Sequence, residues 1–162
     1  MSFHKIVVAL DESTLSKAVF AQAVALAQTT HASLLLFSGV SDASLVQPPS
    51  LPAEVGLFPP DMMSTYAAQP PSLEAHKEAV RAVLQQYSEA AQQAGLTADT
   101  TLEVGDIELL LCATAKEWEA DLIVVGRRGR KGLSEALLGS ISNYAVHHAH
   151  CSVLVVQGDP EV

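Results

Sequence analysis

Uninterrupted runs of apolar residues, each only a few residues long, recur along this chain between longer segments of helical periodicity. The run IVVAL over residues 6–10 and the run LLLF over residues 34–37 contain no polar residue. A strand with this pattern must be buried on both faces, which is typical of a parallel sheet that helices cover on each side. The alternation of such runs with helical segments therefore predicts an α/β fold built from βαβ units.

Five strands and four helices are expected within a single domain that spans residues 1–162. The predicted strands cover residues 4–10, 33–40, 97–104, 121–126 and 151–156. The predicted helices begin after Ser13 or Thr14, run from 72 to about 94, begin after Asp106, and run from 140 to about 148. Serine, threonine and aspartate are good residues for capping a helix start, and Gly95 suits the position just past a helix end. The third strand is partly polar, which favours a place at the edge of the sheet.

A proline-rich stretch separates the second strand from the second helix. It covers about residues 41–71 and contains prolines 48, 49, 52, 59, 60, 70 and 71. Proline lacks a backbone donor and restricts the residue before it, so no long regular element is expected here. The stretch also carries many apolar residues. Two interpretations stay open, a lid or partner-binding surface and a loosely ordered insertion.

The charge balance excludes some classes of partner. The chain has 18 acidic and 9 basic residues, for a net charge of −9, which argues against a general nucleic-acid surface and against docking on anionic membranes. Four of the cations, Arg127, Arg128, Arg130 and Lys131, lie within five positions, and such a local loop suits a small anion. The apolar run at 6–10 is too short for a signal peptide or a membrane span, so a cytoplasmic location is expected.

No metal or redox site is predicted from the cysteines and histidines. Cys112 and Cys151 have no metal-binding or redox spacing, and both lie among apolar residues. His147 and His148 are adjacent on a predicted helix, so their side chains point about 100° apart and do not converge on one ion. Histidines near a helix C-terminus, including His150, have a simpler explanation in the helix dipole.

The segment after the fourth strand has the features of a phosphate-binding loop. Gly126-Arg127-Arg128-Gly129 is followed, after nine residues, by Gly139-Ser140 at the start of the last helix. Glycines allow backbone amides to approach an anion and can adopt positive φ, and the first amides of a helix are unpaired. Ser140 and Ser142 add hydroxyl donors. The sequence therefore predicts that this segment holds phosphates.

The opposite wall of the expected cleft is the end of the first strand. If the strand order is 3-2-1-4-5, strands one and four send their connections to opposite faces, and ligands collect at their carboxyl ends. Asp11 would lie at this edge, facing Gly126, where it can accept a hydrogen bond from a ribose hydroxyl or an adenine amino group. Val40, at the end of the second strand, can offer its backbone to a base.

Other phosphate-binding and signalling motifs are absent. A Walker A loop needs lysine directly after its second glycine, but Leu133 follows Gly132. The turn after the first strand is Asp11-Glu12-Ser13, which excludes a dinucleotide GxGxxG pattern and the glycine-serine loop of nucleotide-cleaving relatives. A receiver domain needs a phosphoacceptor aspartate at the end of strand three, where Asp106 is only a helix cap, and a lysine after Val156, which is missing.

These motifs together resemble the universal stress protein family. The resemblance rests on IVVALDES at 6–13, ADLIVVG at 120–126 and the whole of 126–156. ATP-binding members of that family carry the pattern G-x2-G-x9-G-[ST], which Gly126, Gly129, Gly139 and Ser140 match. The resemblance implies an open, doubly wound, five-stranded parallel sheet of order 3-2-1-4-5. This is a Rossmann-like three-layer sandwich, similar to the adenine-nucleotide hydrolases. It also implies homodimers that pair their fifth strands through Val153, Leu154, Val155 and Val156.

The expected function is that of an ATP-binding stress-response regulator, a nucleotide-dependent homodimeric switch that acts on an unknown downstream protein. ATP would bring Mg²⁺ with its phosphates, and hydrolysis would be slow at most, because no positioned base is evident. The alternative is a dimeric interaction module of the same fold that does not bind nucleotide. The predicted nucleotide-binding residues are Ala9, Asp11, Ser13, Val40, Gly126, Arg127, Arg128, Gly129, Arg130, Gly139, Ser140, Ile141 and Ser142.

Overall fold

The computed structural model describes residues 2–41, 72–127 and 138–158. Apart from Ser41, the predicted proline-rich insertion lies outside the described residues. The strands are β1 (Lys5–Ala9), β2 (Ser33–Val40), β3 (Ala98–Val104), β4 (Leu122–Gly126) and β5 (Ser152–Val156). The helices are α1 (Leu15–Thr30), α2 (Leu73–Gln93), α3 (Ile107–Glu117) and α4 (Ser140–His148). Each lies where the sequence predicted it, within one or two residues.

All five strands pair in parallel, in the order β3-β2-β1-β4-β5. In the centre of the sheet, Ile6 of β1 lies opposite Leu34 of β2 and Leu122 of β4. The order confirms the doubly wound fold and places the partly polar β3 at one edge. The other edge is β5.

Helices cover both faces of the sheet, which accounts for the uninterrupted apolar runs. Ile6 and Val8 pack on one face with residues of α1 and α2. Val7 packs on the other face with residues of α3 and with Ile141 of α4. All three β1 side chains are fully buried, and burial of each such side chain contributes about 1.5–3 kcal/mol. Among the described residues, no helix is both long and apolar enough to cross a membrane.

Helix capping agrees with the sequence prediction at two of three helix starts. The Ser72 hydroxyl accepts a hydrogen bond from the Ala75 amide, and the Asp106 carboxylate accepts one from the Leu109 amide. At α1, however, the predicted side-chain cap by Ser13 or Thr14 is wrong. Thr14 occupies the N-cap position without a side-chain cap bond, and the Ser13 hydroxyl donates backward to Asp11. The residues before α1 are therefore organised around Asp11.

The amino ends of β1 and β4 are joined by the carboxylate of Asp121. Its Oδ2 accepts hydrogen bonds from the backbone amides of His4, at 2.7 Å, and Lys5, at 2.9 Å. The Lys5 Nζ in turn donates to the Trp118 carbonyl at 3.1 Å. The two amide bonds favour the ionised carboxylate and lower the pKa of Asp121 below its ordinary value. This cluster lies at the end of the sheet opposite to the carboxyl ends of the strands.

We predict that Asp121→Asn lowers the free energy of unfolding by about 1–2 kcal/mol at pH 7, because the hydrogen bonds from the His4 and Lys5 amides lose their charged acceptor. A carboxyl whose folded-state pKa is depressed stabilises the protein above its unfolded pKa, and the contribution disappears as pH falls through the folded-state pKa. The difference between the two proteins should therefore shrink in that acidic range. Urea denaturation at several pH values measures it.

The matched control is Asp99→Asn, on the exposed part of β3, where no described residue hydrogen-bonds the carboxylate. Its unfolding free energy should stay within about 0.5 kcal/mol of wild type. Equal stability of Asp121→Asn and wild type at pH 7 would contradict the role assigned to Asp121.

Candidate functional site

A cleft opens where the chain leaves β1 toward one face of the sheet and leaves β4 toward the other. Such a divergence of connections leaves a crevice at the carboxyl ends of the two strands. The crevice has a volume of about 120 Å³ and adjoins a more open cavity of about 480 Å³. Ser140 and Ile141 line both cavities. Small-molecule sites commonly occupy 300–1,000 Å³, so the two cavities together are large enough for a nucleotide-sized ligand.

The fold brings most of the predicted site residues to this cleft. Its walls include eight of them: Ala9, Asp11, Ser13, Gly126, Gly139, Ser140, Ile141 and Ser142. Two others, Val40 and Arg127, do not line it. The remaining three, Arg128, Gly129 and Arg130, lie outside the described residues.

Val40 is placed differently from the prediction. Its side chain is only 1% exposed, and its carbonyl accepts a hydrogen bond from the Gly105 amide at 3.0 Å. That bond continues the pairing of β2 with β3, so the carbonyl already serves the sheet. The neighbours of Val40 in the chain, Gly39 and Ser41, line the two cavities instead.

The start of α4 presents unpaired amides to the cleft. Gly139 is the N-cap residue, in an extended conformation, and its carbonyl accepts the first helical hydrogen bond from the Asn143 amide at 2.9 Å. The amides of Ser140, Ile141 and Ser142 therefore have no acceptor among the described residues. Together with the positive end of the helix dipole, these amides can bind an anion.

Backbone contacts of Arg127 hold this helix start in place. The Arg127 amide donates to the Val156 carbonyl at 2.8 Å, which ties the end of β4 to β5. The Arg127 carbonyl accepts from the Gly139 amide at 2.7 Å and from the Ser142 hydroxyl at 3.0 Å. Arg127 thus contributes its backbone to the geometry of the site.

The predicted role of Ser142 as a hydroxyl donor to the ligand is wrong. The side chain is 1% exposed, and its hydroxyl lies 3.0 Å from the carbonyls of both Arg127 and Gly139. A serine hydroxyl has one proton to donate, and here that proton serves the backbone. Ser140, in contrast, is exposed and makes no hydrogen bond with its side chain among the described residues.

Gly126 packs closely against Leu15, and the positive φ that the sequence suggested for it is not observed. Among the described glycines, positive φ occurs at Gly95 and Gly105. A Cβ on Gly126 would lie 2.8 Å from Leu15 Cδ2 and 3.1 Å from Leu15 Cγ. The missing side chain therefore lets the first turn of α1 approach the end of β4.

Asp11 is held by a local hydrogen-bond network. Its Oδ1 accepts from the Ser13 amide at 2.8 Å, from the Ser13 hydroxyl at 2.5 Å and from the Ser16 hydroxyl at 2.8 Å. Its amide donates to Ser16 Oγ at 2.8 Å. The next residue, Glu12, lies 3.9 Å from His76 Nδ1 at the beginning of α2. The carboxylate of Asp11 therefore has a defined orientation beside the cleft.

Several cleft residues escaped sequence reasoning. They are Leu10, Leu15, Ser16, Val19, Phe37, Gly39, Ile107 and Val125. For Ser16, the spacing Asp-x-Ser-x-x-Ser over residues 11–16 was a usable signal, because it brings three polar groups together at a helix start. Gly39 was marked only by a glycine at the end of a buried strand. A Cβ there would lie 2.7 Å from Ile107 Cγ1.

Comparisons with known proteins agree with this architecture. The model of the universal stress protein family matches residues 2–157. The universal stress protein Sll1388 of Synechocystis is 38% identical over 159 residues, which are 97% of this chain and 99% of that protein.

Two solved structures are similar in fold. One is a universal stress protein in complex with cAMP, with a TM-score of 0.61 and 22% identity over 96% of this chain and 98% of that one. The other is a universal stress protein family protein from Arabidopsis thaliana with AMP bound, with a TM-score of 0.59 and 18% identity over 96% and 92% of the two chains. At these identities the similarity establishes the fold.

We predict that Gly126→Ala lowers the free energy of unfolding by about 1–3 kcal/mol, because the new methyl group overlaps Leu15. If that overlap is the cause, the loss should be clearly smaller in a Leu15→Ala background, as for any pair of directly contacting positions. Urea denaturation of the four proteins of this cycle measures the coupling.

Gly95→Ala is the matched control. Gly95 has φ of +80° and no heavy atom within 4 Å of an added Cβ, so its loss arises from the backbone alone. That loss should be the same with and without Leu15→Ala. An unchanged Gly126→Ala loss in the Leu15→Ala background would contradict the packing explanation.

Proposed function

Because this chain belongs to the universal stress protein family, we propose that it binds ATP in the cleft between β1 and β4 and acts as a stress-response regulator. The proposal rests mainly on one observation: the amides of Ser140, Ile141 and Ser142 lie at the cleft and have no acceptor in the part of the chain that the structure describes. Two structural relatives, solved in complex with cAMP and with AMP, support an adenine nucleotide as the ligand class.

The phosphates would lie against the start of α4. The helix dipole and the unpaired amides favour negative charge there, and the exposed Ser140 hydroxyl supplies a further donor. Arg128, Gly129 and Arg130, which lie outside the described residues, complete the glycine-arginine motif that we assign to the phosphates. Mg²⁺ would accompany ATP through the phosphate oxygens, because no cluster of three His, Cys, Asp or Glu occurs in the described ranges.

The nucleoside would lie against the end of β1 and the apolar wall of the cleft. Leu15 and Ile107, which are only partly buried, offer apolar surface, while the carboxylate of Asp11 offers a hydrogen-bond acceptor. A mostly apolar pocket with a few fixed polar groups is the usual form of a small-molecule site. Asp11 is an acceptor, and we assign it to a hydroxyl or amino group of the nucleoside.

We assign a binding switch to this protein in preference to a catalyst. Hydrolysis of ATP requires a group that orients or activates water near the γ-phosphate. Among the described residues that line the two cavities, the ionisable ones are Asp11, Asp106 and Glu108. Asp11 Oδ1 already accepts three hydrogen bonds, the Asp106 carboxylate caps α3, and we assign none of the three as a base. Turnover is therefore expected to be slow, and ATP would act by changing how the protein meets a downstream protein in the cytoplasm.

The switch would operate in a homodimer formed through β5. This strand is an edge of the sheet, and an unpaired edge is a template for a second strand. Val153 and Val155 pack on one face of the sheet, and Leu154 and Val156 on the other. Val153, Leu154 and Val155 are only half-buried. A dimeric interaction module without nucleotide is the alternative function, and the first experiment below separates the two.

We predict that Gly139→Asp abolishes ATP binding and leaves the fold intact. Gly139 has φ of −62° and ψ of 161°, which aspartate adopts easily, and aspartate is a preferred N-cap residue. The new carboxylate would accept hydrogen bonds from the same amides that we assign to the phosphates. Isothermal titration should show at least a tenfold loss of ATP affinity, and thermal denaturation should show unchanged or slightly higher stability.

The control for charge is Ala113→Asp, which places the same carboxylate on the exposed side of α3, away from the cleft. Its ATP affinity should equal that of wild type. The wild-type protein must first be freed of any co-purified nucleotide. If its titration with ATP then releases no heat, the result supports the alternative, a dimeric module without nucleotide. Equal affinity of Gly139→Asp and wild type would remove the phosphate site from α4.

We predict that Val155→Pro converts a dimer into a monomer. The amide of Ser152 donates to the carbonyl of Asp121, directly before β4, and the carbonyl of Val156 accepts from the amide of Arg127, directly after β4. Because neighbouring residues of a strand face opposite sides, the Val155 amide points to the free edge, and proline removes only that donor. Light scattering at micromolar concentration should give the mass of two chains for wild type and of one chain for the variant.

Val155→Thr is the control, because it keeps the amide and nearly the same side-chain shape. It should remain dimeric. A wild-type mass of one chain would rule out the dimer, and a dimeric Val155→Pro would move the interface away from β5.

A further inference from the structure

The hydroxyl of Ser16 is buried beside the cleft and makes two hydrogen bonds to one residue. Its side chain is 3% exposed. Ser16 Oγ accepts from the Asp11 amide at 2.8 Å and lies 2.8 Å from Asp11 Oδ1. Because the carboxylate oxygen cannot donate, the single Ser16 proton must point to Oδ1. Ser16 therefore holds both the backbone and the carboxylate of Asp11.

The two carboxylate oxygens of Asp11 have different surroundings. Oδ1 accepts from Ser16 and also from the amide and the hydroxyl of Ser13. Oδ2 has no hydrogen bond to any residue of the described ranges. A carboxylate oxygen has about two lone-pair positions, so three donors leave Oδ1 no capacity for a ligand. Only Oδ2 is left to accept a hydrogen bond in the cavity that Asp11 lines.

We infer that Ser16 is a positioning residue for nucleotide recognition. It orients Asp11 so that Oδ2 can accept a hydrogen bond from a hydroxyl or amino group of the nucleoside. This inference rests on the proposed nucleotide-binding function. Ser16 lines the cleft, but its buried hydroxyl is used by Asp11, so its loss should weaken binding of the nucleoside part and leave binding of the phosphate part unchanged. Without Ser16, the Asp11 amide loses its acceptor and the carboxylate keeps only the two donors of Ser13, so the acceptor is less firmly preorganised.

A purely structural role is the competing explanation. Ser16 lies in the first turn of α1, where Thr14 makes no side-chain cap bond, so the Asp11–Ser16 contact also stabilises the helix start. The two roles differ in what they change. A structural role changes the free energy of unfolding, whereas a positioning role also changes nucleotide affinity, and it does so only while Asp11 is present.

The test is a double-mutant cycle of Ser16→Ala and Asp11→Ala, measured by isothermal titration with ATP and with inorganic tripolyphosphate. Ser16→Ala should weaken ATP binding about tenfold, which corresponds to about 1.4 kcal/mol. Its affinity for tripolyphosphate should equal that of wild type. The double variant should bind ATP no more weakly than Asp11→Ala alone, because Ser16 acts through Asp11.

Ser88→Ala is the matched control. Ser88 is a buried serine of α2 whose hydroxyl donates to the Ala98 carbonyl at 3.1 Å, away from the cleft. Its removal should lower stability by a similar amount without changing ATP affinity. If Ser16→Ala does not fold, Ser16→Cys replaces it, because cysteine has nearly the same size and a much weaker donor. A smaller loss of ATP affinity is then expected, again without a change in tripolyphosphate affinity.

Three outcomes would overturn the inference. These are equal ATP affinity of Ser16→Ala and wild type, an equal loss for ATP and tripolyphosphate, and losses from Ser16→Ala and Asp11→Ala that multiply in the double variant. Each leaves the proposed function standing, because wild type still binds ATP. Failure of wild type to bind ATP would instead remove the proposed function itself, and with it this inference.

Discussion

The burial of β1 on both faces, in the centre of a parallel sheet, is the constraint on which the rest of this structure depends. Its backbone pairs with β2 on one side and with β4 on the other, and its side chains fill the cores on both faces. The chain that leaves β1 forms α1 on one face, whereas the chain that leaves β4 leads to α4 on the other. The cleft exists because these two connections diverge from neighbouring strands, so the arrangement that builds the core also opens the site.

The geometry of the cleft is set largely by backbone groups. One carbonyl, that of Arg127, accepts hydrogen bonds from Gly139 and Ser142 and thereby fixes the start of α4 beside the end of β4. On the opposite wall, the close approach of Leu15 to Gly126 fixes the first turn of α1. Two helix starts are thus anchored within one crevice. Anchoring of this kind keeps the unpaired amides of α4 in a fixed position, which reduces the ordering cost of binding an anion.

An acidic protein with a net charge of −9 can still favour a polyanion locally. Helix amides and the helix dipole act over about one turn and need no cationic side chain. The carboxylate of Asp11 lies on the other wall of the same cleft, where the ligand offers hydroxyl and amino donors in the proposed arrangement. Opposite walls of opposite polarity would orient a nucleotide with its phosphates at α4 and its nucleoside at β1. In the proposed arrangement, this separation would let one small cleft accommodate both a carboxylate and an anion.

The sequence alone determined the order of the elements, the bounds of the strands to within one or two residues, and the two strand ends that border the cleft. Apolar runs, helix caps such as Ser72 and Asp106, and the glycine-rich segment ending at Gly139 are local signals that a reader can interpret without a structure. Only the tertiary structure decided how individual groups are used. The Ser142 hydroxyl donates to the carbonyl of Arg127, fifteen positions away, and Gly126 packs closely against Leu15 of another element. The Val40 carbonyl accepts a hydrogen bond from the Gly105 amide. Periodicity reports which face of an element is buried, whereas hydrogen-bond partners and steric neighbours come from distant parts of the chain and exist only once the sheet has formed.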